Sequence, residues 1–383
     1  MSEWPTVKLG EVAEQTNHRV GELDVPIYSV TKYDGFVPSS EYFKKRVFSM
    51  DIRKYKLCTA GDFAYATIHL DEGSIGISPV KCGISPMYTT FRLNSLNISP
   101  DYLLRYLKSS RALTQYLTLG SGSAERRKSI KFTDLRKMEI PLPPLGEQNR
   151  IVGILGKTTG AISSVQKQIE QAKKLRSSIV GMASKMAVEL RAISEYFDIN
   201  PRQPRNIPDN APTSFVPMAN LDETFGISPI TSRFSEHKKG YTYFENGDIL
   251  LAKITPCFEN GKSAIAKLST QIGHGSTEFH VLRHKNHMHQ DVCLSPLLVA
   301  AILKQPSFLK PAENFMRGSA GQKRIPVSYI ASLKVPVLKS VDLEKIDQSL
   351  EIVEALLNLY HRKLSLLQEL QKSLATRAFA GLL

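Results

Sequence analysis

The sequence has few of the residues and segments that secreted, membrane and metal-binding proteins need. It contains only four cysteines, Cys58, Cys82, Cys257 and Cys293, and no CxxC pair. This scatter disfavours zinc ligands and redox couples and favours free thiols in a reducing compartment. No apolar run reaches the roughly 18 residues of a membrane span, and the N-terminal segment lacks the basic and apolar regions of a signal peptide. The sequence therefore predicts a cytoplasmic protein.

Motifs for nucleotide binding and methyl transfer are missing as well. The letters GKTT at 156–159 are not a phosphate loop, because Ile151 stands where the motif requires its first glycine. The segment PLPPL at 141–145 does not match the Asn/Asp-Pro-Pro-aromatic motif of an adenine methyltransferase. A nuclease pattern is met only loosely by Asp209 and Glu236, whose carboxylates would have to share a metal ion.

Histidines are concentrated in one segment of the second half of the chain. Five of the nine lie there: His274, His280, His284, His287 and His289. The first two flank a predicted strand, and the other three fall in a polar loop. Because the paired cysteines and the HExxH spacing of a zinc site are missing, we interpret this loop as solvated or DNA-facing, with a metal site as the alternative.

Basic side chains are in clear excess. The 50 lysines and arginines outnumber the 36 acidic residues, which gives a net charge of +14. Such a charge favours a polyanionic partner, of which nucleic acid is the leading candidate.

An internal repeat organises the 383 residues. The segment IKFTDLRKMEIPLPPLGEQNRIV from Ile130 aligns with IPVSYIASLKVPVLKSVDLEKID from Ile325, a shift of 195 positions. Upstream, TAGDFAYATI from Thr59 parallels ENGDILLAKI from Glu245, a Gly-Asp turn followed by an apolar strand in both. The sequence thus predicts an α+β fold with two tandem α/β domains at 1–144 and 190–340, each followed by a long helix, at 145–189 and 341–383.

Apolar residues in each long helix follow a heptad spacing. The predicted seam positions are Ile151, Leu155, Thr158, Ile162, Val165, Ile169, Ala172, Leu175, Ile179 and Ala183 in the first helix, and Ile346, Leu350, Val353, Leu357, Tyr360, Leu364, Leu367, Leu370, Leu374 and Ala378 in the second. The same irregular step precedes Leu175 and Leu370, which suggests that the two helices pack on each other. The alternative is an ordinary core helix in each domain.

Each half carries a Gly/Ser-rich basic turn before its proline segment. Glycine lets the backbone approach phosphates closely, and Arg and Gln can bond base edges. The predicted DNA-binding residues are Arg126, Arg127, Lys128 and Lys131 in the first turn and Arg317, Gln322, Lys323 and Arg324 in the second. Secondary candidates, for each of which ordinary surface charge is the alternative, are His18, Arg19, Lys45, Arg46, Arg233 and Lys238.

The junction EIPLPPLGEQNRIV, the terminus LQELQKSLATRAFAGLL and the twofold organisation resemble the specificity subunit of Type I restriction-modification enzymes. The resemblance implies two target-recognition domains held by an antiparallel coiled coil with pseudo-twofold symmetry, each reading half of a bipartite double-stranded DNA target. It implies that the coil sets the spacer between the half-sites and docks two DNA methyltransferase subunits, which motor-nuclease restriction subunits join. The second junction, PVLKSVDLEKI, departs from this pattern because it lacks the proline pair and the Glu-Gln.

The same resemblance implies a chain with no catalytic centre, metal or cofactor. S-adenosylmethionine, ATP and magnesium would be bound by the partner subunits. Two alternatives remain open, a stand-alone metal-dependent nuclease and a coiled-coil scaffold that does not bind DNA.

Overall fold

The computed structural model describes residues 4–32, 34–43, 48–119, 129–221, 230–237, 239–285, 292–319 and 321–383. The chain divides into two compact units, one of residues 1–163 with 365–383 and the other of residues 164–364. Both long helices therefore contribute one part to each unit.

The first half of the chain contains short strands and helices that end in one long helix. In order they are β1 Thr6–Lys8, α1 Leu9–Val12, β2 Ala13–Thr16, β3 Ile27–Thr31, β4 Gly35–Pro38, α2 Ser39–Tyr42, β5 Lys56–Cys58, β6 Phe63–Ala66, β7 Ile75–Ile77, β8 Cys82–Ile84, β9 Tyr88–Leu93, α3 Pro100–Leu107, α4 Ser110–Leu119, α5 Phe132–Leu135, β10 Glu139–Pro141 and α6 Leu145–Met186.

The second half repeats this order element by element. It comprises β11 Glu189–Ala192, α7 Ile193–Tyr196, β12 Phe197–Ile199, β13 Pro212–Val216, β14 Ile230–Arg233, α8 Phe234–His237, β15 Thr242–Glu245, β16 Ile249–Ala252, β17 Ser263–Ile265, β18 Ile272–Gly275, β19 Phe279–His284, α9 Pro296–Leu303, α10 Pro306–Glu313, α11 Val327–Ser332, β20 Lys334–Val337 and α12 Ser340–Phe379.

Sheet topology is the same in the two domains. One sheet has the strand order β2-β9-β6-β7 in the first domain and β12-β19-β16-β17 in the second. A second sheet runs β4-β3-β8-β5 and β14-β13-β18-β15, with a parallel central pair in both domains. Each domain also has a two-stranded sheet, β1-β10 and β11-β20, whose second strand directly precedes a long helix in the sequence. The predicted internal repeat is thus confirmed at the level of strand pairing.

The Gly-Asp turns form the same structure in both domains. Gly61 and Gly247 have positive φ angles of 90° and 95°, a conformation that costs glycine little. Asp62 and Asp248 then accept a 2.7 Å hydrogen bond from the backbone N–H three residues earlier. This local closure starts the buried central strands β6 and β16.

The seam of the long helices is largely buried. Within the first unit, Ile151 and Leu155 share a core with Ala378 and Phe379, and Gln371 Nε2 donates to Thr159 Oγ1 over 2.9 Å. Within the second unit, Val165 and Ile169 are buried on α6, as are Leu350, Val353 and Leu357 on α12. The N-terminal part of α6 therefore packs against the C-terminal part of α12. This is the antiparallel pairing that the resemblance implied.

One detail of the predicted seam is wrong. The side chains of Leu175 and Leu370 are 50% and 47% exposed, whereas Arg176 is 6% exposed and Gln371 is half-buried. When Arg176 and Gln371 take the places of Leu175 and Leu370, the seam positions alternate regularly in steps of four and three residues. The heptad therefore has no break there. What recurs after 195 residues is a polar residue at a seam position.

The end of α12 belongs to the core of the first unit. The Phe379 ring lies edge-on to Tyr102 and Tyr106, with centroids 5.6 and 5.3 Å away. Arg111 Nη1 donates to the Phe379 carbonyl over 2.6 Å, and Arg150 Nη2 donates to the Leu383 carbonyl over 3.0 Å. The C-terminal residues thus complete a domain that begins at the other end of the sequence.

Candidate nucleic-acid interface

The second basic turn is a tight hairpin. Arg317 and Arg324 exchange backbone hydrogen bonds of 2.9 and 2.8 Å. Gly318 has φ +133°, and a Cβ at this position would lie 2.6 Å from the Gln322 carbonyl oxygen, so the hairpin requires glycine there. Arg317, Gln322 and Lys323 are exposed. The hairpin therefore brings three of the four predicted residues of this turn to the surface together.

Arg324, the fourth predicted residue, is paired within the protein. Its Nη2 and Nε donate to the two carboxylate oxygens of Glu278 over 2.8 and 2.9 Å. The guanidinium lowers the pKa of Glu278. A bidentate pair of this kind fixes direction as well as distance, so Arg324 orients the hairpin, and a direct contact to DNA stays a prediction.

Backbone hydrogen bonds attach the hairpin to the segment that follows β16. Thr255 N–H donates to the Lys323 carbonyl, and Ile325 N–H donates to the Lys253 carbonyl, both over 2.9 Å. Lys253 is half-buried beside this attachment. No sequence pattern singles out Lys253, because a single lysine after an apolar strand carries no signal of its own.

The first basic turn can be described only at its end. Arg126, Arg127 and Lys128 lie outside the described residues, whereas Lys131 is exposed at the start of α5. Lys131 lines a cavity of about 640 Å³ together with Thr67, His69 and several aromatic side chains: Tyr28, Phe43, Phe48, Tyr55 and Tyr88. Ile130 N–H donates to the Thr67 carbonyl over 2.9 Å, so the chain re-enters the domain where Ile325 does in the second half.

The structure describes three of the six secondary candidates. His18 and Arg19 are exposed, and Arg19 Nη1 donates to the Lys54 carbonyl over 2.6 Å. Arg233 lies on β14. Lys45, Arg46 and Lys238 fall outside the described residues. DNA contact by any of these six residues stays a prediction.

The described histidines of this segment lie on strands, which corrects the loop prediction for His284. His274 lies on β18 and His280 on β19, and both are buried. His274 Nδ1 lies 3.1 Å from Thr213 Oγ1, and its Nε2 lies 3.1 Å from Gln203 Oε1. His284 ends β19, and His287 and His289 fall outside the described residues. Strand pairing placed the first two rings in the domain interior, which local composition could not reveal.

The described residues contain neither a group of metal ligands nor a helix that could span a membrane. Among these residues no three His, Cys, Asp or Glu side chains are grouped so that they could hold a metal ion. Likewise, no helix in the described part of the chain is both long and apolar enough to cross a membrane.

Comparison with known proteins gives this architecture a family context. Residues 1–174 match the family model described as Type I restriction modification DNA specificity domain. The chain resembles type I restriction specificity subunits. It is 41% identical over 147 residues to the type I restriction enzyme EcoEI specificity subunit of Escherichia coli, which covers 38% of this chain and 24% of that protein. It is 38% identical over 161 residues to the EcoAI specificity subunit of the same species, which covers 41% and 26%.

The matched part spans about a quarter of the length of these two relatives. Structural similarity extends further. The crystal structure of the Type-I restriction-modification system S subunit from M. genitalium aligns with 99% of this chain and 96% of its own, at a TM-score of 0.56 and 14% identity. That likeness shows a shared fold along the whole chain.

Proposed function

We propose that this chain is the sequence-specific DNA-binding specificity subunit of a Type I restriction-modification complex. Each recognition domain reads one half of a bipartite target. The observation that carries the proposal is the repeated domain, in whose sequence a Gly/Ser-rich basic segment precedes the equivalent helices α5 and α11, in a chain of net charge +14. One scaffold used twice with different exposed side chains suits a target made of two unlike halves.

The long helices provide the second part of the proposal. The pair α6 and α12 sets the spacer between the half-sites and docks two methyltransferase subunits, which restriction subunits join. The chain itself is non-catalytic and works in the cytoplasm. S-adenosylmethionine, ATP and magnesium belong to the partner subunits, where methyl transfer and ATP-dependent cleavage take place.

The second hairpin offers a direct test of DNA binding. Arg317 and Lys323 are exposed, and we propose that they contact phosphates and bases. The R317A/K323A variant, in complex with its methyltransferase, should therefore bind the target duplex at least about tenfold more weakly than wild type. The slope of log affinity against log salt should fall by about one for each lost phosphate contact. Fluorescence anisotropy over a salt series measures both quantities.

A charge-matched control keeps this test specific. K267A/K310A removes the same charge from exposed positions of the second domain, outside its basic turn and outside the long helices. Equal loss of affinity in both double variants would mean that only net charge matters. Binding without salt dependence would favour a coiled-coil scaffold, and metal-dependent cleavage lost in D209A/E236A would favour a nuclease.

A further inference from the structure

The residue that ends each basic turn is held from inside the domain. In the first domain, the buried Tyr65 hydroxyl donates to the Ile130 carbonyl over 3.0 Å. In the second domain, His280 Nε2 lies 2.9 Å from the Ile325 carbonyl. Both isoleucines are themselves buried. One carbonyl at the same place in the repeat therefore receives a side-chain hydrogen bond in each domain.

The two donors come from opposite strands of the same strand pair. On β6 and β9, Tyr65 lies opposite Thr89. On β16 and β19, Leu251 lies opposite His280. The donor thus lies on β6 in the first domain and on β19 in the second, yet the hydrogen bond still ends on the equivalent carbonyl. The contact has been kept while the residues that make it differ.

The surroundings of His280 define which nitrogen carries the proton. Asn200 Nδ2 lies 3.2 Å from His280 Nδ1 and can only donate, so Nδ1 accepts and Nε2–H donates to Ile325. Asn200 is held in turn, because its Oδ1 accepts the Val281 N–H over 2.9 Å. Burial lowers the pKa of His280, which favours the neutral ring that this arrangement needs.

The N–H of each isoleucine is bonded as well. Ile130 N–H donates to the Thr67 carbonyl and Ile325 N–H to the Lys253 carbonyl, both over 2.9 Å. The main-chain hydrogen bond fixes the backbone path at each isoleucine. The side-chain hydrogen bond fixes the orientation of its inward-pointing carbonyl. Loss of the donor would leave a buried carbonyl without its side-chain partner, which costs more than an ordinary hydrogen bond is worth.

We propose that Tyr65 and His280 are positioning residues for DNA recognition. Each fixes the buried isoleucine that follows the basic segment of its domain, and so sets the place of the side chains next to it, Lys131 in the first domain and Lys323 and Arg324 in the second. The inference rests on the proposed function, because it assumes that these turns read DNA.

Removal of the Tyr65 hydroxyl provides the cleanest test. Y65F keeps the ring and deletes the hydroxyl, which donates to Ile130 and also bonds the Thr89 side chain. With the wild-type target as probe, Y65F should lose affinity about tenfold, on the scale of one hydrogen bond. When the half-site read by the first domain is scrambled, wild type and Y65F should bind the duplex equally well. When the other half-site is scrambled, Y65F should still bind more weakly than wild type. Changes in binding through one half-site only are not expected from a general loss of stability.

A matched control is available in the same unit. The buried Tyr102 hydroxyl donates to the Pro141 carbonyl over 2.8 Å, at the domain–helix junction rather than at the basic turn. Y102F should lower the thermal unfolding temperature about as much as Y65F and leave half-site discrimination unchanged. Equal loss of discrimination in both variants would overturn the inference.

The second domain allows a rescue experiment. H280L should weaken binding through the half-site that Y65F leaves intact. The double variant L251Y/H280T transplants the arrangement of the first domain and should restore affinity to within about threefold of wild type. Failure of this rescue in a folded protein would count against a positioning role for His280.

The outcomes separate this inference from the proposed function. Wild-type protein that does not discriminate half-sites would refute the proposed function and the inference together. Discrimination by wild type that Y65F and H280L leave unchanged would refute the inference alone.

Discussion

The guanidinium of Arg176 lies 3.5 Å from the carboxylate of Glu354, and both side chains are buried, at 7% and 9% side-chain exposure. A shift of 195 residues carries Arg176 onto Gln371 and Glu354 onto Thr159, which are themselves hydrogen-bonded over 2.9 Å. Equivalent positions of the helix pair therefore hold a polar contact in each unit. Burial raises the pKa of Glu354, so this charge is costly to keep inside the seam.

The buried pair should be far more sensitive to single than to double replacement. E354L leaves the Arg176 charge without this carboxylate and should lower the free energy of unfolding by about 3–5 kcal/mol. R176L/E354L should recover most of that loss. Lys304, which is also buried and acts on Glu354, limits full recovery. Urea denaturation measures the three values.

An exposed pair on the same helix serves as the control for this comparison. Lys173 and Glu170 are 3.0 Å apart on the surface of α6. E170A should change the free energy of unfolding by no more than about 0.5 kcal/mol. A loss from E354L as small as that from E170A would show that the buried pair is not energetically coupled.

The C-terminal aromatic should be essential to the first unit. Phe379 is buried between Tyr102 and Tyr106, so F379A should cost about 3–5 kcal/mol of stability. L382A changes an exposed side chain three residues later and should cost little. Hydrogen exchange should become faster in α3 of the F379A protein and stay unchanged in α9. Equal acceleration in both helices would contradict the assignment of the tail to one unit.

Stability should depend on pH through His280. Burial lowers its pKa, so the unfolded chain, with a histidine pKa of about 6.5, takes up this proton more readily than the folded one. The contribution of the neutral His280 ring to the free energy of unfolding is full above about pH 6.5 and is lost as pH falls below that value. H280Q should lose less stability than wild type between about pH 7.5 and pH 5. Lys253 and Glu278 also act on the ring and are unchanged in H280Q, so parallel pH curves would contradict the assignment.

The spacer proposal predicts a change of target length. One heptad inserted after Ser163 in α6 and another after Leu364 in α12 preserves the seam period where both helices pass between units. Each insertion adds about 10 Å of helix, on the order of three base pairs of DNA. The methylated target should keep its two half-sites and gain a longer spacer. Altered half-sites with an unchanged spacer would contradict this role of the helices.

Much of the architecture could be predicted because it repeats. The heptad, the Gly-Asp turns and the proline segments are local patterns, and each occurs twice, so the repeat supported every assignment. The seam failed at Leu175 because leucine is the obvious core residue, whereas burial of Arg176 depends on Glu354, a partner remote in the sequence. Composition cannot report such a pairing.

Parts of the candidate interface were hidden for the same reason. Arg324 stands in a basic turn, yet its carboxylate partner Glu278 comes from the residue before β19. Tyr65 and His280 occupy different strands, so alignment of the repeat shows no shared donor even though both bond the equivalent isoleucine carbonyl. Only strand register reveals that they perform the same task.

The most direct test of the account is to map methylated adenines in the DNA of cells that express this chain with its partner methyltransferase. We predict one bipartite sequence, two defined half-sites separated by a spacer of fixed length and undefined sequence, that is methylated only when this chain is present. Methylation that is independent of the chain, or confined to one continuous motif, would contradict the proposal that its two domains read two halves of a target.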